Sequence, residues 1–288
     1  MEPLTRREII DGLTEVGFRP RKKWGQNFLF DTELLDAFVR DTELPAGVPV
    51  VEVGCGAGTL TERLLLAGHP VVGLEIDPLL STWLRRRFDD EPRFELIEGD
   101  ALGSKNELAA HVRERLGTFD QPYWLVSNLP YAVATPITQL LLPPGGPGEL
   151  AGMGVLVQRE VAEKWVAAIG SADYGTASVL LQLAGSGSIV RRVSASLFWP
   201  RPQVESAFYV WRAGEPCAEL EDVRRAVRHL FQQRRKMLRS PLAEWFSEDD
   251  PWWAAAGVSP TARPAEVGPH QFHDLAIEWR RRGGLGQG

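Results

Sequence analysis

The stretch that decides the fold is Val51-Glu52-Val53-Gly54-Cys55-Gly56-Ala57-Gly58, in which an apolar strand ends and a helix begins. Its three glycines predict a tight turn where a ligand can approach the backbone, because no side chain intrudes. Their G-x-G-x-G spacing differs from the G-x-G-x-x-G of dinucleotide-binding folds, which counts against a nicotinamide cofactor. A turn that binds nothing would also suit these glycines. Whether this turn binds a ligand therefore depends on the residues at the ends of the other strands.

Short apolar strands and helix-length segments alternate around this turn. Strands are predicted at 50–54, 70–76, 94–97, 123–127 and 154–158, with a closing antiparallel pair at 188–193 and 206–211. Strands separated by helices form a parallel, doubly wound sheet with helices on both faces. The predicted fold class is therefore α/β, with a Rossmann-like sheet.

The strand pattern stops at Ala213-Gly214-Glu215-Pro216, a break with linker character. Beyond this break, apolar residues between 223 and 231 recur at helical spacing. The sequence thus predicts an α/β domain over 1–212 and a small helical domain over 213–288.

Composition limits the class of protein. The 288 residues suffice for one large domain and a smaller one, and a hydrophobic share of 44% is ordinary for globular proteins. The apolar runs are strand-sized and the N-terminus has no basic-then-apolar signal, so we expect a cytoplasmic protein without a membrane segment. Cys55 and Cys217 lie in no metal-ligand spacing and the five histidines are scattered, so we expect no metal.

The net charge of -6 argues mildly against a nucleic-acid partner, because phosphate contacts need cations. The distribution of charge matters more than the sum. Basic clusters lie at 19–23, 85–87, 191–192, 234–239 and 280–282. Each cluster alone is typical of a solvated surface. Three of them, Arg21 to Lys23, Arg191-Arg192 and Arg234 to Arg239, are nevertheless candidates for a phosphate-binding surface.

Carboxylates follow the second and third predicted strands. Glu75 ends the second strand, where doubly wound folds hold ribose hydroxyls, and one carboxylate accepts two hydroxyl hydrogen bonds in one plane. Asp100 ends the third strand, where it can accept a hydrogen bond from the amino group of a bound adenine. Together with the glycines, these acids indicate an adenosine-shaped site, and we expect S-adenosylmethionine as the cofactor.

The fourth strand ends in Asn128-Leu129-Pro130-Tyr131. The amino nitrogen of adenine is a poor nucleophile, because its lone pair is delocalised into the ring. The Asn128 amide oxygen and the Leu129 carbonyl can accept its two hydrogens, which favours a pyramidal, nucleophilic nitrogen. Pro130 fixes the turn that aims this carbonyl, and Tyr131 can stack on a base that has left its helix or loop. The alternative is an ordinary Asn-Pro turn without a function. The position of the tetrapeptide at the end of the fourth strand disfavours this alternative.

These motifs resemble one family, the small-subunit ribosomal RNA adenine dimethyltransferases, from about Arg21 to Ala276. The matching segments are Lys23 to Leu29, Glu52 to Gly58, Glu75, Gly99 to Leu102, Asn128 to Tyr131, Val157 to Glu163, Tyr174-Gly175, Phe198 to Ser206, Phe231 to Leu238 and Gly257 to Ala276. The resemblance implies a class I S-adenosylmethionine-dependent methyltransferase fold, with a small C-terminal helical domain that recognises ribosomal RNA.

The resemblance also implies roles for single residues. Phe198 would face Tyr131 across a flipped adenine and complete a catalytic set with Asn128, Leu129 and Pro130. The implied cofactor-binding residues are Gln26, Asn27, Leu29, Gly54, Gly56, Glu75, Asp100, Ala101 and Asn128. The implied reaction is dimethylation of adenine amino groups in the RNA of an immature small ribosomal subunit, carried out by a monomeric enzyme.

Four features depart from the family pattern. Cys55 stands where proline is usual, and Gln203 stands where lysine is usual. Ser240-Pro241 follows an arginine cluster where a continuing helix is expected, and the net charge is acidic where relatives are often basic. The chemical core is intact, whereas the surface expected to contact RNA differs.

Three other functions fit part of the pattern. Antibiotic-resistance methyltransferases that act on large-subunit ribosomal RNA would share the cofactor segment, the tetrapeptide and the late phenylalanine, but 257–276 resembles the small-subunit branch. A non-catalytic ribosome-assembly or nucleic-acid-binding factor on this fold is expected to have lost Glu75, Asp100 or Asn128. A DNA adenine methyltransferase is disfavoured by the segment Gly25 to Leu29.

Overall fold

The structure is a computed structural model that describes residues 3–21, 26–104, 107–143 and 148–285. Its helices are α1 (Arg6–Glu15), α2 (Thr32–Thr42), α3 (Thr59–Leu66), α4 (Pro78–Arg87), α5 (Ala110–Leu116), α6 (Ala134–Leu141), α7 (Arg159–Trp165), α8 (Thr176–Ala184), α9 (Leu220–Gln232), α10 (Pro251–Ala255) and α11 (Pro269–Arg281). Its strands are β1 (Phe28–Leu29), β2 (Val50–Val53), β3 (Val71–Glu75), β4 (Phe94–Glu98), β5 (Leu102–Ser104), β6 (Glu107–Leu108), β7 (Tyr123–Asn128), β8 (Leu150–Gln158), β9 (Gly185–Val193), β10 (Phe198–Trp199) and β11 (Ser206–Ala213).

Seven strands form one mixed sheet in the order β4-β3-β2-β7-β8-β11-β9. The first five of these run parallel to one another, and β11 pairs antiparallel with β8. The predicted closing pair corresponds to β9 and β11, which are neighbours at the edge of the sheet. This arrangement confirms the predicted Rossmann-like α/β class.

The centre of the sheet is apolar because helices cover it. All residues of β2 and β3 are buried, as are five of the six residues of β7. Parallel strands that are covered on both faces are expected to be continuous apolar runs, and the sequence shows this pattern with Glu52 in β2 and Glu75 at the end of β3 as exceptions. The strand order reverses between β2 and β7, and open α/β sheets bind ligands beyond the carboxyl ends of strands at such a reversal.

The helix that follows β3 begins with a strong start signal. Asp77 is its N-cap, and the Asp77 carboxylate accepts a hydrogen bond from Leu79 N at 3.0 Å. Pro78 at the first helical position is already restricted to helical φ, and it has no N–H that would need a partner. The β3–α4 turn is therefore held in one conformation directly beside the end of β3.

The chain divides into two compact units. The first comprises Met1–Leu141, Gly146–Ala162 and Ser188–Arg212, and the second comprises Leu142–Gly145, Glu163–Gly187 and Ala213–Gly288. The second unit thus includes α8 in addition to the helical segment 213–288. Between 214 and 285 the structure contains helices and turns but no strand, and the apolar residues Leu220, Val223, Val227 and Leu230 of α9 are fully buried.

The arginine cluster of the second unit does not lie on a helix. Because α9 ends at Gln232, residues 234–239 lie in turns ahead of Ser240-Pro241, where the family pattern leads one to expect a continuing helix. None of the helices that the structure describes is long and apolar enough to cross a membrane.

Candidate active site

A cleft of about 740 Å³, its open mouth included, lies at the carboxyl ends of the central strands. The predicted residues that line it are Gln26, Asn27, Leu29, Gly54, Gly56, Glu75, Asn128, Leu129, Pro130 and Tyr131. The fold therefore brings together residues from four separate segments, and among the predicted site residues Asp100, Ala101 and Phe198 are not part of the lining.

The glycine loop needs glycine both for its backbone and for its space. Gly54, Gly56 and Gly58 have φ values of 78°, 57° and 75°, in the left-handed region that favours glycine. A Cβ on Gly54 would lie 3.0 Å from Pro130 Cγ, and one on Gly56 would lie 3.0 Å from Phe28 Cε1. Any other residue at these positions would narrow the cleft.

Two side chains of α4 hold this loop through one carbonyl. Trp83 Nε1 donates to Ala57 O at 3.0 Å, and Arg87 donates to the same oxygen at 2.5 Å. Arg87 also forms an ion pair at 2.5 Å with Glu62 of α3, and each of these two side chains is only 3% exposed. Burial lowers the pKa of Arg87, and the charge of Glu62 opposes this shift.

This contact is not evident from the sequence. The cluster at 85–87 is typical of a solvated surface, and Arg85 and Arg86 are indeed exposed, whereas the Arg87 side chain is buried behind the loop. The only available signal was the position of Arg87, one helical turn after Trp83 and therefore on the same face of α4.

Glu75 joins the loop to the β3–α4 turn. Its side chain is buried, its Oε2 accepts from Gly56 N at 2.8 Å, and its Oε1 accepts from Asp77 N at 2.9 Å. Burial raises the pKa of Glu75, and these backbone hydrogen bonds oppose the rise. A carboxylate has about four acceptor positions, so Glu75 keeps acceptor capacity for the hydroxyl groups of a ligand.

A second buried carboxyl group, Glu52, lines the same cleft. Its Oε2 accepts a hydrogen bond from Thr61 Oγ1 at 2.6 Å. Burial raises the pKa of Glu52 to about 8; the Thr61 hydrogen bond opposes this shift and the charge of Glu75 adds to it. Glu52 lies within the glycine motif but was not among the predicted site residues, although an acid inside an apolar strand is a signal of a functional position.

The tetrapeptide is held from both sides. Asn128 Nδ2 donates to Asn27 O at 3.1 Å, so the amide nitrogen has a partner and the amide oxygen is left as the acceptor. Leu129 N donates to Leu156 O of β8 at 3.1 Å, and the Tyr131 hydroxyl lies 3.3 Å from Ser206 Oγ. The backbone around Leu129 is thus anchored to the sheet.

The N-terminal segment is tied to the site by side-chain hydrogen bonds. Gln26 Nε2 donates to Asp77 Oδ2 at 3.1 Å, and Thr59 Oγ1 donates to Leu29 O at 2.9 Å. Lys22 to Gly25, which belong to the predicted cofactor segment and to one basic cluster, lie outside the described residues.

Asp100 and Ala101 lie away from the cleft lining. The Asp100 side chain is exposed, and its Oδ1 accepts from Leu102 N at 2.9 Å. Ala101 is buried among apolar residues that include Val53 and Leu74. Their roles toward a cofactor stay predictions.

Phe198 is close to the site but packed into the core. It lies opposite Leu29 in the antiparallel β1–β10 pair, and only 5% of it is exposed. The structure gives no ring contact between Phe198 and Tyr131. Because Leu29 lines the cleft and Phe198 does not, the proposed sandwich of a base between the two rings also stays a prediction.

Comparison with known proteins identifies the family. Residues 17–280 match the family model for ribosomal RNA adenine dimethylase. Relatives called Ribosomal RNA small subunit methyltransferase A include those of Opitutus terrae, 36% identical over 96% of this chain and 99% of the relative, and Phenylobacterium zucineum, 36% identical over 95% and 93%.

Solved structures with the same fold include a dimethyladenosine transferase from Plasmodium falciparum, with a TM-score of 0.68 and 20% identity over 89% of this chain and 98% of that one. The 23S rRNA methyltransferase ErmE has a TM-score of 0.63 and 25% identity over 87% and 98%. Since the family match spans most of the sequence and the relatives align along nearly their whole length, the chain belongs to the ribosomal RNA adenine dimethylase family.

Proposed function

We propose that this protein uses S-adenosylmethionine to dimethylate the exocyclic amino group of adenines in small-subunit ribosomal RNA. The observation that carries the proposal is that Asn128-Leu129-Pro130-Tyr131 lines the same cleft as Glu75 and the glycine loop. A methyl donor and an adenine can therefore meet in one site. The names of the relatives support the small subunit as the substrate.

The residues of the cleft fit the adenosyl group of S-adenosylmethionine. Glu75 offers a buried carboxylate to ribose hydroxyls, and Gly54 and Gly56 leave a cradle that a Cβ would fill. Glu52 adds a second, buried carboxyl group to the lining of the cleft. When bound, the cofactor supplies a methyl group on a positively charged sulfur, already activated for transfer.

The protein contributes to the reaction mainly by positioning. Asn128 offers its amide oxygen and Leu129 its carbonyl to the two hydrogens of the amino group, while Tyr131 stacks on the ring. Among the described residues that line the cleft there is no histidine or lysine to act as a base. Well-oriented reactants need little further help, and the proton leaves to water once the methylated nitrogen has become acidic.

The remaining assignments concern the whole protein. We propose that the helical segment 213–288 contacts the ribosomal RNA, and that the enzyme acts as a monomer in the cytoplasm on an immature small subunit. The turns at 234–239 favour this role for the segment, because they expose the cations Arg235 and Lys236.

One experiment tests the substrate and the reaction together. Small and large ribosomal subunits from cells that lack the gene are incubated separately with the protein and labelled S-adenosylmethionine, and their nucleosides are analysed by mass spectrometry. Dimethyladenosine is expected only in the small subunit, and Asn128→Ala serves as the inactive control. Methylation of the large subunit alone would favour an activity like that named for ErmE, and binding without methylation would indicate an assembly factor.

A further inference from the structure

Three potential metal ligands converge at the start of α9. Cys217 and Glu219 precede this helix, and His273 lies in the second turn of α11, which packs against it. The Cys217 Sγ, one Glu219 carboxylate oxygen and one His273 ring nitrogen all lie within 4.8 Å of one another. Donor atoms around tetrahedral zinc lie about 3.3–3.8 Å apart, so side-chain movements of about 1 Å would close the site.

His273 is oriented as metal-binding histidines are. Its Nδ1 lies 3.1 Å from Asp274 Oδ1, and its Nε2 lies 3.4 Å from Glu219 Oε2. A carboxylate beside one ring nitrogen fixes the tautomer that offers the other nitrogen to a metal. In the tautomer with hydrogen on Nδ1, Asp274 accepts from the ring and the Nε2 lone pair is directed toward Glu219, so a cation between Nε2 and the Glu219 carboxylate would be bound by both.

The Glu219 side chain does not cap α9, although its position at the start of this helix would suit that role. Glu219 is the N-cap residue of α9, yet its side chain makes no capping hydrogen bond. Its side chain is 32% exposed and that of His273 is 26% exposed, so both are partly shielded while an ion can still enter from solvent. Thiolate, imidazole and carboxylate together form a donor set that suits zinc.

We propose that Cys217, Glu219 and His273 bind a zinc ion, with Asp274 orienting the imidazole and water completing the coordination. The ion joins the segment before α9 to α11, although Glu219 and His273 are 54 positions apart in the sequence. Zinc therefore stabilises the native helical unit, because binding to the folded state alone raises its stability by mass action. Sequence spacing suggested no metal site because these ligands meet only through the packing of two helices.

Zinc alone is the probe for the test. The full-length protein is prepared without a polyhistidine tag, stripped with a chelator and titrated with zinc in competition with a chromophoric chelator. We expect one tight site in the wild type. Asp274→Asn should weaken zinc binding about 10–100-fold, and Cys217→Ser should weaken it at least as much. His270→Gln is the matched control, because His270 is exposed on the same helix and outside the cluster.

Two further readouts separate a built site from adventitious binding. Zinc should raise the thermal unfolding midpoint of the wild type and of His270→Gln but not that of Cys217→Ser. Cobalt in place of zinc should give a thiolate-to-metal charge-transfer band that depends on Cys217. Wild-type zinc affinity no greater than that of Cys217→Ser would overturn the proposal. If that variant fails to fold, a wild-type cobalt complex without the thiolate band would do so.

Discussion

At the scale of single residues, the cleft orients its polar atoms before a substrate arrives. Asn128 donates its amide N–H to Asn27 O, which directs its amide oxygen to a different partner. A weakly nucleophilic amino group requires such a fixed acceptor for its hydrogens. Because the Asn128 amide oxygen is already oriented, the reaction needs no reorganisation of this group.

Asn128→Ala should therefore lower the single-turnover methyl-transfer rate by on the order of 100-fold. RNA affinity should change far less, because phosphate contacts dominate it. Rapid-quench kinetics and filter binding measure the two quantities. Phe198→Ala should show a smaller loss of rate, since stacking contributes about 1–3 kcal/mol per base. A folded Asn128→Ala that transfers methyl groups at the wild-type rate would refute this account of adenine activation.

Glu52 makes the stability of the protein depend on pH. Its pKa is about 8 in the folded protein, against an ordinary value of 4.5. Below pH 4.5 the Glu52 carboxyl group is protonated in both the folded and the unfolded state, and its full contribution to the stability of the folded state is present. As the pH rises from 4.5 to 8, the unfolded chain ionises first and the folded state loses stability.

Glu52→Gln removes this titration while keeping the shape of the protonated side chain. The unfolding free energy of the wild type minus that of the variant should fall between pH 5 and 8, by at most about 1.4 kcal/mol per pH unit. Urea denaturation of both proteins at a series of pH values measures it. Parallel curves for the two proteins across this range would show that Glu52 does not titrate as described.

At the scale of elements, the sequence predicts what depends on local pattern. The strand predicted at 50–54 is found at Val50–Val53. The strand predicted at 123–127 is found at Tyr123–Asn128. Glycines and polar residues mark these ends in the chain itself. The hold of Trp83 and Arg87 on Ala57 was not predictable, because it joins residues 26 and 30 positions apart through packing.

Phe198 shows a second limit of sequence-based prediction. A family motif can identify the residue, but only the β1–β10 pairing reveals that its ring lies in the core. In the same way, only the structure reveals that Asp100 Oδ1 accepts a hydrogen bond from Leu102 N in its own turn, while the predicted role of Asp100 toward a cofactor stays a prediction. Side-chain direction depends on contacts with distant segments, and no motif specifies those contacts.

Arg87→Met tests whether α4 positions the glycine loop. The variant loses the hydrogen bond to Ala57 O and one partner of Glu62. Stability should fall by about 1–3 kcal/mol, less than for a fully unpaired buried charge, because Arg63 still contacts Glu62 at 2.5 Å. Cofactor affinity, measured by calorimetry, should fall as well, since the loop is no longer held in shape.

Glu62→Gln is the matched control for Arg87→Met. It removes the ion pair but leaves the hydrogen bond from Arg87 to Ala57, so its cofactor affinity should stay closer to that of the wild type. Equal losses of cofactor affinity in the two variants would mean that the ion pair, and not the contact with the loop, matters for binding.

At the scale of the whole molecule, a protein of net charge -6 has to bind a polyanion. Several cations are already compensated by neighbouring acids: Arg191 pairs with Asp41, and Arg239 pairs with Glu248. Arg234 donates to the carbonyls of Ser171 and Ala172 and so has a structural task. The cations that can act on phosphate are consequently fewer than the clusters in the sequence suggest.

Arg235 and Lys236 are exposed in the turn that follows α9, and they are the cations of this cluster that we expect to contact RNA. Replacing both with glutamine should flatten the dependence of log Kd on log salt by roughly 0.7–0.9 per lost contact, because fewer counterions are released on binding. Arg239→Gln should flatten it less, since Glu248 already neutralises that charge. Fluorescence anisotropy with a fragment of small-subunit ribosomal RNA at several salt concentrations measures the slopes. If Arg239→Gln changed the slope as much as the double variant, pairing within the protein would not decide which cations contact RNA.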